Sequence, residues 1–305
     1  MKQYILIALM FSSALLASAQ KSRAKSDPLK FKGTSILAEE KRLEEKKQND
    51  TNGQKITLQS LGIPEDKLPT YHALIIGVSQ YQMSNSELSN LEHPVKDAEK
   101  LAEVLVSKYT FNLENIHLLL NATRGEIITS LESLSEILTE KDNLLVFYAG
   151  HGFWDKIKEL GYWLPSDAHP KFKSQWIANS TLIDYLGAIK SKHTLLIADA
   201  CFSGSIFKSR SLDVANTLVR FNELYRDKSR KAMTSGNLTT VPDKSVFIEN
   251  LLKELSENDD IFLHSRMLYS RIYEPISNNS STLPQHGVIQ NVGDDGGDFI
   301  FIKKN

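Results

Sequence analysis

The chain has 305 residues, of which 41% are hydrophobic and 24% charged, and its formal net charge is −1. This composition suits a soluble globular protein with one large domain or two small ones. Near-neutral charge gives no basis for a nucleic-acid groove or for attraction to an anionic membrane surface.

The first residues, MKQYILIALMFSSALLASAQ, place Lys2 ahead of a short apolar stretch that ends at Ala17-Ser18-Ala19. That is the layout of a cleaved secretory signal, assigned here to residues 1–19. No later segment approaches the roughly 18 apolar residues of a spanning helix. The expectation is an exported protein, periplasmic or secreted, with no membrane span once the signal is removed. Residues 20–65 are basic and then mixed in charge with few apolar anchors, and read as a flexible pro-segment or linker. Residues 66–305 read as the folded domain.

Within that domain, strand and helix patterns alternate. YHALIIGVSQY (71–81) is a short Ile- and Val-rich run, expected as a buried strand. In residues 93–109, Pro94 stands near the start of an amphipathic helix with Ala98, Leu101, Ala102, Leu105 and Val106 on one face. Residues 115–121 form a second strand. Residues 123–140 form a helix opened by Thr123 and Glu126, a capping-box pair. A third strand covers 143–152, a hairpin or extended segment 161–168, a helix 181–192 and a fourth strand 193–201. A polar connector rich in Lys and Arg (203–231) leads to the strand pattern KAMTSG. Helices follow at 245–257 and 262–276, then strand-like runs around a Gly-Asp turn. Near-continuous apolar strands alternating with helices indicate an α/β domain, a mostly parallel central sheet with helices on both faces.

Two of these strands end in reactive residue types. The third ends in Tyr148-Ala149-Gly150-His151-Gly152 and the fourth in Asp199-Ala200-Cys201. Cys201 is the sole cysteine. In an exported chain a single thiol is buried and inert, paired between chains, or reactive. Ligands of parallel α/β sheets bind beyond the carboxyl ends of strands. If these two strands are neighbours, an imidazole and a thiol meet there, the minimum for nucleophilic catalysis. Gly150 and Gly152 would let the backbone approach a ligand, and an N–H there could serve an oxyanion.

The pair resembles the catalytic strands of the caspase-like cysteine peptidases of bacterial and metacaspase type. His151 and Cys201 differ by 50 positions, the spacing typical of that family. HALIIGVSQYQ, LEHPVKDAEKLAEVL, ATRGEIITSLESL, LLVFYAGHG, DACFSGS, MTSG, DKSVFIENLLKEL and GGDFIF extend the resemblance over about 71–302. It implies a caspase-like fold and a cysteine endopeptidase with Cys201 as nucleophile and His151 as its partner. Backbone N–H groups near Gly152 and Cys201 would hold the oxyanion. True caspases carry Gln two residues before the Cys; this chain carries Asp199. The metacaspase pattern adds an acid in the first helix, here Asp97, and Ser235 of the MTSG segment falls among the substrate-binding positions. Two carboxylates facing one pocket suit Arg or Lys, not Asp.

The sequence also departs from the pattern. Ala149 replaces the Ser that precedes Gly-His-Gly in metacaspases. Where some of them bind calcium through an acidic pair, this chain has Ala178-Asn179-Ser180, which leaves Asp167 alone, a poor site for a cation that takes six to eight oxygens. No metal or other cofactor is expected. The resemblance also suggests a processing loop at 203–231, with Arg226 to Lys231 expected as its most exposed part; the competing reading is a solvated, partly helical connector, since Val214, Leu218, Phe221 and Leu224 stand near helical spacing. The competing reading of the whole is a caspase-fold binding or regulatory protein with little turnover.

Overall fold

A computed structural model describes residues 68–200, 206–210, 221–236, 243–280 and 282–304. The signal and linker expectations, and Cys201 with its neighbours to 205, lie outside the described residues. In chain order the elements are β1 (Thr70–Gly77), α1 (Pro94–Lys108), β2 (Phe111–Leu120), α2 (Arg124–Ile137), β3 (Asp142–Ala149), β4 (Gly152–Asp155), β5 (Leu160–Trp163), β6 (Ile177–Ala178) and α3 (Asn179–Ala188). Then come β7 (His193–Asp199), β8 (Phe207–Arg210), α4 (Phe221–Arg226), β9 (Ser229–Thr234), α5 (Val246–Glu257), β10 (Phe262–His264), α6 (Ser265–Asn279), β11 (Gln285–Ile289) and β12 (Ile300–Ile302).

Seven strands form one sheet in the order β2-β1-β3-β7-β9-β11-β8. β2, β1, β3, β7 and β9 are parallel, and β11 runs antiparallel to both β9 and β8. Alternate residues of β1 serve opposite faces. Leu74 and Ile76 join Ile127, Leu131 and Leu134 of α2 and Leu182 and Leu186 of α3 in one buried cluster. Tyr71 packs with Phe111 and Phe299. α1 lies on β1, β2 and β3 and also meets α5, which packs on α6. The expected α/β caspase-like layering is therefore present.

Local signals explain most boundaries. Thr123 and Glu126 form the capping box at α2, which stabilises such a helix start by about 1 kcal/mol. α1 opens on Pro94, where the missing N–H would be unpaired in any case. β1 stops at Gly77 rather than running to Tyr81. A Cβ at Gly77 would lie 2.6 Å from the Pro94 carbonyl oxygen, so the strand ends where α1 crosses it. β2 begins earlier than expected, at Phe111. The expected helix 262–276 opens instead as β10, which pairs with β12 before α6 begins at Ser265. The expected segment 161–168 supplies β5, which joins β4 and β6 in a small antiparallel sheet just after His151.

The connector 203–231 needs correction. Arg226 ends α4 and is exposed, but Ser229, Arg230 and Lys231 are buried in β9, between β7 and β11. The Arg230 guanidinium donates to the carbonyls of Ser191, Ser229 and Lys192 at 2.7, 2.8 and 3.1 Å. Lys231 Nζ pairs with Asp294 at 2.8 Å with both side chains buried. The end of this run of cations looked like a solvated loop, but Arg230 and Lys231 have each found buried partners.

Candidate active site

The register of β3 against β7 sets the site. Ala149 pairs with Asp199 as the last rung. His151 stands two residues beyond that rung, at the carboxyl edge of the parallel sheet, and Cys201, outside the described residues, follows Asp199 by two positions in the sequence.

His151 is held on several sides. Its main-chain N–H donates to Tyr81 Oη at 2.8 Å. Its carbonyl accepts from Tyr148 Oη at 2.6 Å and from the Leu164 N–H at 3.1 Å. Its ring Nε2 lies 2.8 Å from the Ser89 carbonyl oxygen. A carbonyl only accepts, so Nε2 carries a proton, and Nδ1 is the basic nitrogen of the neutral ring. Burial lowers the His151 pKa from its usual 6.5, while the Ser89 carbonyl and the charge of Asp243 oppose that shift. Gly150, at φ +155°, makes the turn from β3 to His151.

The loop between β1 and α1 supplies both Tyr81 and Ser89, and it is tied down along its length. Asn121 Oδ1 accepts the N–H groups of Ser79 and Gln80 at 2.8 Å each. Asn90 Oδ1 accepts the Tyr81 N–H at 2.8 Å. Leu91 N–H donates to the Ser79 carbonyl at 2.8 Å. Asp243 Oδ1 accepts the N–H groups of Glu92 and His93 at 2.8 and 3.1 Å.

Asp199 closes β7 and is buried. Burial lifts its pKa to about 6; the Ser245 and Ser235 hydroxyls counter part of the rise, and the charge of Asp97 adds to it. Among the described residues, neither Asp199 Oδ1 nor Ser235 Oγ closes a hydrogen bond of full geometry, so the Ser235 hydroxyl acts on the carboxyl as a nearby dipole. Ser235 is fixed by its own N–H, which donates to the Ala198 carbonyl at 3.2 Å. Asp97 stands in the first turn of α1, half-buried, and burial raises its pKa too, with Lys100 and His93 opposing. The fold thus gathers Asp97, Asp199 and Ser235 beside the β7 end, with unpaired acceptors and no cation among the described neighbours of Asp199 Oδ1. Such a pocket suits a ligand that brings its own donors and positive charge.

Gly152 opens β4 opposite Trp163, immediately after His151. Asp167 Oδ1 accepts the Arg124 N–H at 2.7 Å, and Asp294 and Asp298 are engaged with Lys231 and His264. These acids are committed to helix capping and internal pairs.

Sequence reasoning passed over Tyr81, Ser89, Ser245 and Asp243. Tyr81 sits in a segment read as the end of a strand, and Ser89 in the stretch between that strand and the helix at 93–109, to which no role was given. Ser245 showed only as a helix start, and it does cap α5, accepting the Ile248 N–H at 3.3 Å.

Among the described residues, no helix is long and apolar enough to cross a membrane. Comparison with known proteins agrees with the geometry. Metacaspase-6 of Arabidopsis thaliana is 26% identical over 208 residues, 62% of this chain and 54% of that protein. The chain thus spans about half the length of this curated relative. Two solved structures share the fold. Protein GSU0716 of Geobacter sulfurreducens aligns with a TM-score of 0.51 and 15% identity, over 76% of this chain and all of that one. Caspase-1 of Spodoptera frugiperda aligns with a TM-score of 0.51 and 16% identity, over 72% of this chain and 87% of that one. The sequence profile of the caspase domain (peptidase C14) matches residues 70–286, well over half of the chain, which therefore belongs to the caspase-domain family.

Proposed function

We propose that the chain is an exported cysteine endopeptidase that cuts peptide bonds after Arg or Lys. The observation that carries this reading is the shared β3–β7 rung, from which His151 and Cys201 are equally spaced. In the proposed reaction the Cys201 sulfur adds to the peptide carbonyl carbon, its proton passing to His151 Nδ1. N–H groups of Gly152 and Cys201 receive the oxyanion. The C–N bond then breaks as His151 returns the proton to the leaving amine. Water cleaves the thioester and restores the thiol. Asp199, Asp97 and Ser235 take the basic side chain that precedes the cut. A guanidinium supplies the donors that the Asp199 carboxylate lacks, and a second carboxylate entering there would meet like charge as well as desolvation. None of these steps calls for a metal or other cofactor.

The test uses the purified protein with matched peptide substrates ending in Arg, Lys or Asp, and an Arg-mimicking electrophile. Arg and Lys substrates are cleaved, Asp substrates are refused, and the electrophile adds to Cys201. Cys201→Ala abolishes both signals. Efficient cleavage after Asp would overturn the pocket assignment. An unreactive thiol with no turnover would leave a caspase-fold binding protein instead.

A further inference from the structure

We propose that Phe153 forms a subsite for the departing half of the substrate, taking an apolar side chain at the second residue after the cut. This subsite rests on the peptidase reading and gives the enzyme a second point of selectivity. Asp199 and Ser235 serve the residue before the cut; Phe153 stands on the other side of His151.

The course of a substrate follows from the strand order. β7 lies between β3 and β9. Asp199 ends β7 and Ser235 directly follows β9, so the pocket for the basic side chain lies toward β9. His151 comes just after β3, on the opposite flank of β7. A peptide with its basic side chain in that pocket crosses the end of β7 and runs on past His151, which protonates the departing amine. The next element on that side is β4, which starts at Gly152.

The hairpin of β4 and β5 puts Phe153 on the catalytic side. Gly152 pairs with Trp163, and Phe153 with Tyr162. The ladder runs one rung further, because the Leu164 N–H donates to the His151 carbonyl at 3.1 Å. Side chains alternate along a strand, so those of His151 and Phe153 leave one face, roughly 6.5–7 Å apart. Trp163 serves the other face, where it stacks on Tyr148 at 4.3 Å. Two residues of an extended peptide span the same distance as His151 to Phe153. With the departing nitrogen at His151, the second residue of that half comes level with Phe153.

The Phe153 ring is held firmly and yet left uncovered. Trp176 packs on it at 5.0 Å, Tyr162 stands at 6.5 Å, and Lys173 Nζ lies over it at 5.0 Å. These supports are themselves fixed. Trp176 Nε1 donates to the His169 carbonyl at 2.9 Å, and Lys173 pairs with the buried Asp155 carboxylate. Trp176 and Tyr162 are buried, whereas Phe153 is 38% exposed. A ring locked on one side and open on the other offers apolar contact with little further loss of side-chain freedom.

The experiment uses the full chain and peptides that share Arg before the cut and Gly after it. They differ only in the next residue, which is Leu, Phe or Ala. An Arg aminomethylcoumarin amide, which has no residue at that place, is run beside them. Wild type prefers Leu and Phe over Ala by about tenfold in kcat/KM, the low end of what apolar groups contribute in a pocket. Phe153→Ala and Phe153→Gln each bring that ratio near one, and Phe153→Leu keeps most of it. The ratio is taken within each variant, so a general loss of activity does not imitate the effect, and circular dichroism checks folding. A wild-type ratio near one, or a ratio that survives both substitutions, overturns the subsite, while coumarin release upholds the peptidase reading. Neither coumarin release nor peptide cleavage would overturn the peptidase reading and the subsite with it.

Discussion

The Tyr81 hydroxyl accepts the main-chain N–H of His151 at 2.8 Å across 70 positions of sequence, and the two rings lie 5.1 Å apart. Burial pushes the Tyr81 phenol well above its ordinary pKa, so it stays protonated and can act as a neutral hydrogen-bond acceptor. Tyr81→Phe leaves that N–H without its acceptor, a loss of about 1–3 kcal/mol in stability. Because the imidazole is also displaced, kcat should fall roughly tenfold or more with little change in KM, as for loss of a contact that positions the reacting group. Thermal unfolding and steady-state kinetics on an Arg substrate check both halves.

Asp199 gives a prediction in which stability and activity move in opposite directions. Its folded pKa of about 6 exceeds the ordinary 3.8, so the fold favours the neutral acid. That preference is harmless below the unfolded pKa and destabilises the protein progressively as pH rises through the window from 3.8 to about 6. By pH 7 it amounts to roughly 3 kcal/mol at most. Asp199→Asn should therefore raise Tm at pH 7.5 and change it little at pH 3.5. The same variant should lower kcat/KM for Arg substrates by about a hundredfold, because an amide cannot form a charge-assisted pair.

Two groups shape the acid limb of kcat/KM. Asp199 must ionise to receive a cation, with a pKa of about 6. His151 must be neutral to act as a base, and burial sets its pKa below 6.5. Activity of the wild type should rise with pH more steeply than one proton allows, while Asp199→Asn retains a one-proton limb. A pH series on both proteins with an Arg substrate decides it.

Self-cleavage, if the enzyme performs it, should avoid Arg230 and Lys231. Both are buried in β9, and cutting there requires withdrawing a strand flanked on both sides. New N-termini should instead follow Lys208, Arg210 or Arg220. Mass spectrometry of wild type and Cys201→Ala incubated side by side checks this, with cuts confined to the wild type.

Gly150→Ala should be costly. Gly150 has φ +155°, and an added Cβ would stand 3.0 Å from Tyr148 Oη and 3.2 Å from Tyr81 Oη, the two hydroxyls that hold the His151 backbone. Strain of about 1–3 kcal/mol is expected, together with loss of turnover. Reduced Tm and reduced labelling of Cys201 are the readouts.

Local signals made much of the fold legible. The parallel strands were continuous apolar runs, Thr123 and Glu126 announced α2, and the Gly-His-Gly and Asp-Ala-Cys ends marked the sheet edge. What escaped was set at long range. Arg230 and Lys231 read as solvated because their partners, the Ser191 carbonyl and Asp294, lie 39 and 63 positions away. The start of the loop that grips His151, up to Tyr81, read as strand because the crossing of α1 over Gly77 has no local signature. Asp243 gave no signal at all, standing 151 and 150 positions from the two N–H groups it accepts.

The order β7-β9-β11-β8 has a consequence for a severed chain. Residues up to 210 supply β7 and β8, residues from 221 supply β9 and β11, and the later pair is inserted between the earlier two. A break anywhere in 211–220 turns the protein into an interlocked heterodimer with one shared sheet. Each piece alone exposes raw ladder edges that the other piece alone can fill in register. Fragments 1–210 and 221–305, made as separate polypeptides, should thus complement one another, and a nicked protein should lose its smaller piece only as fast as the whole sheet comes apart.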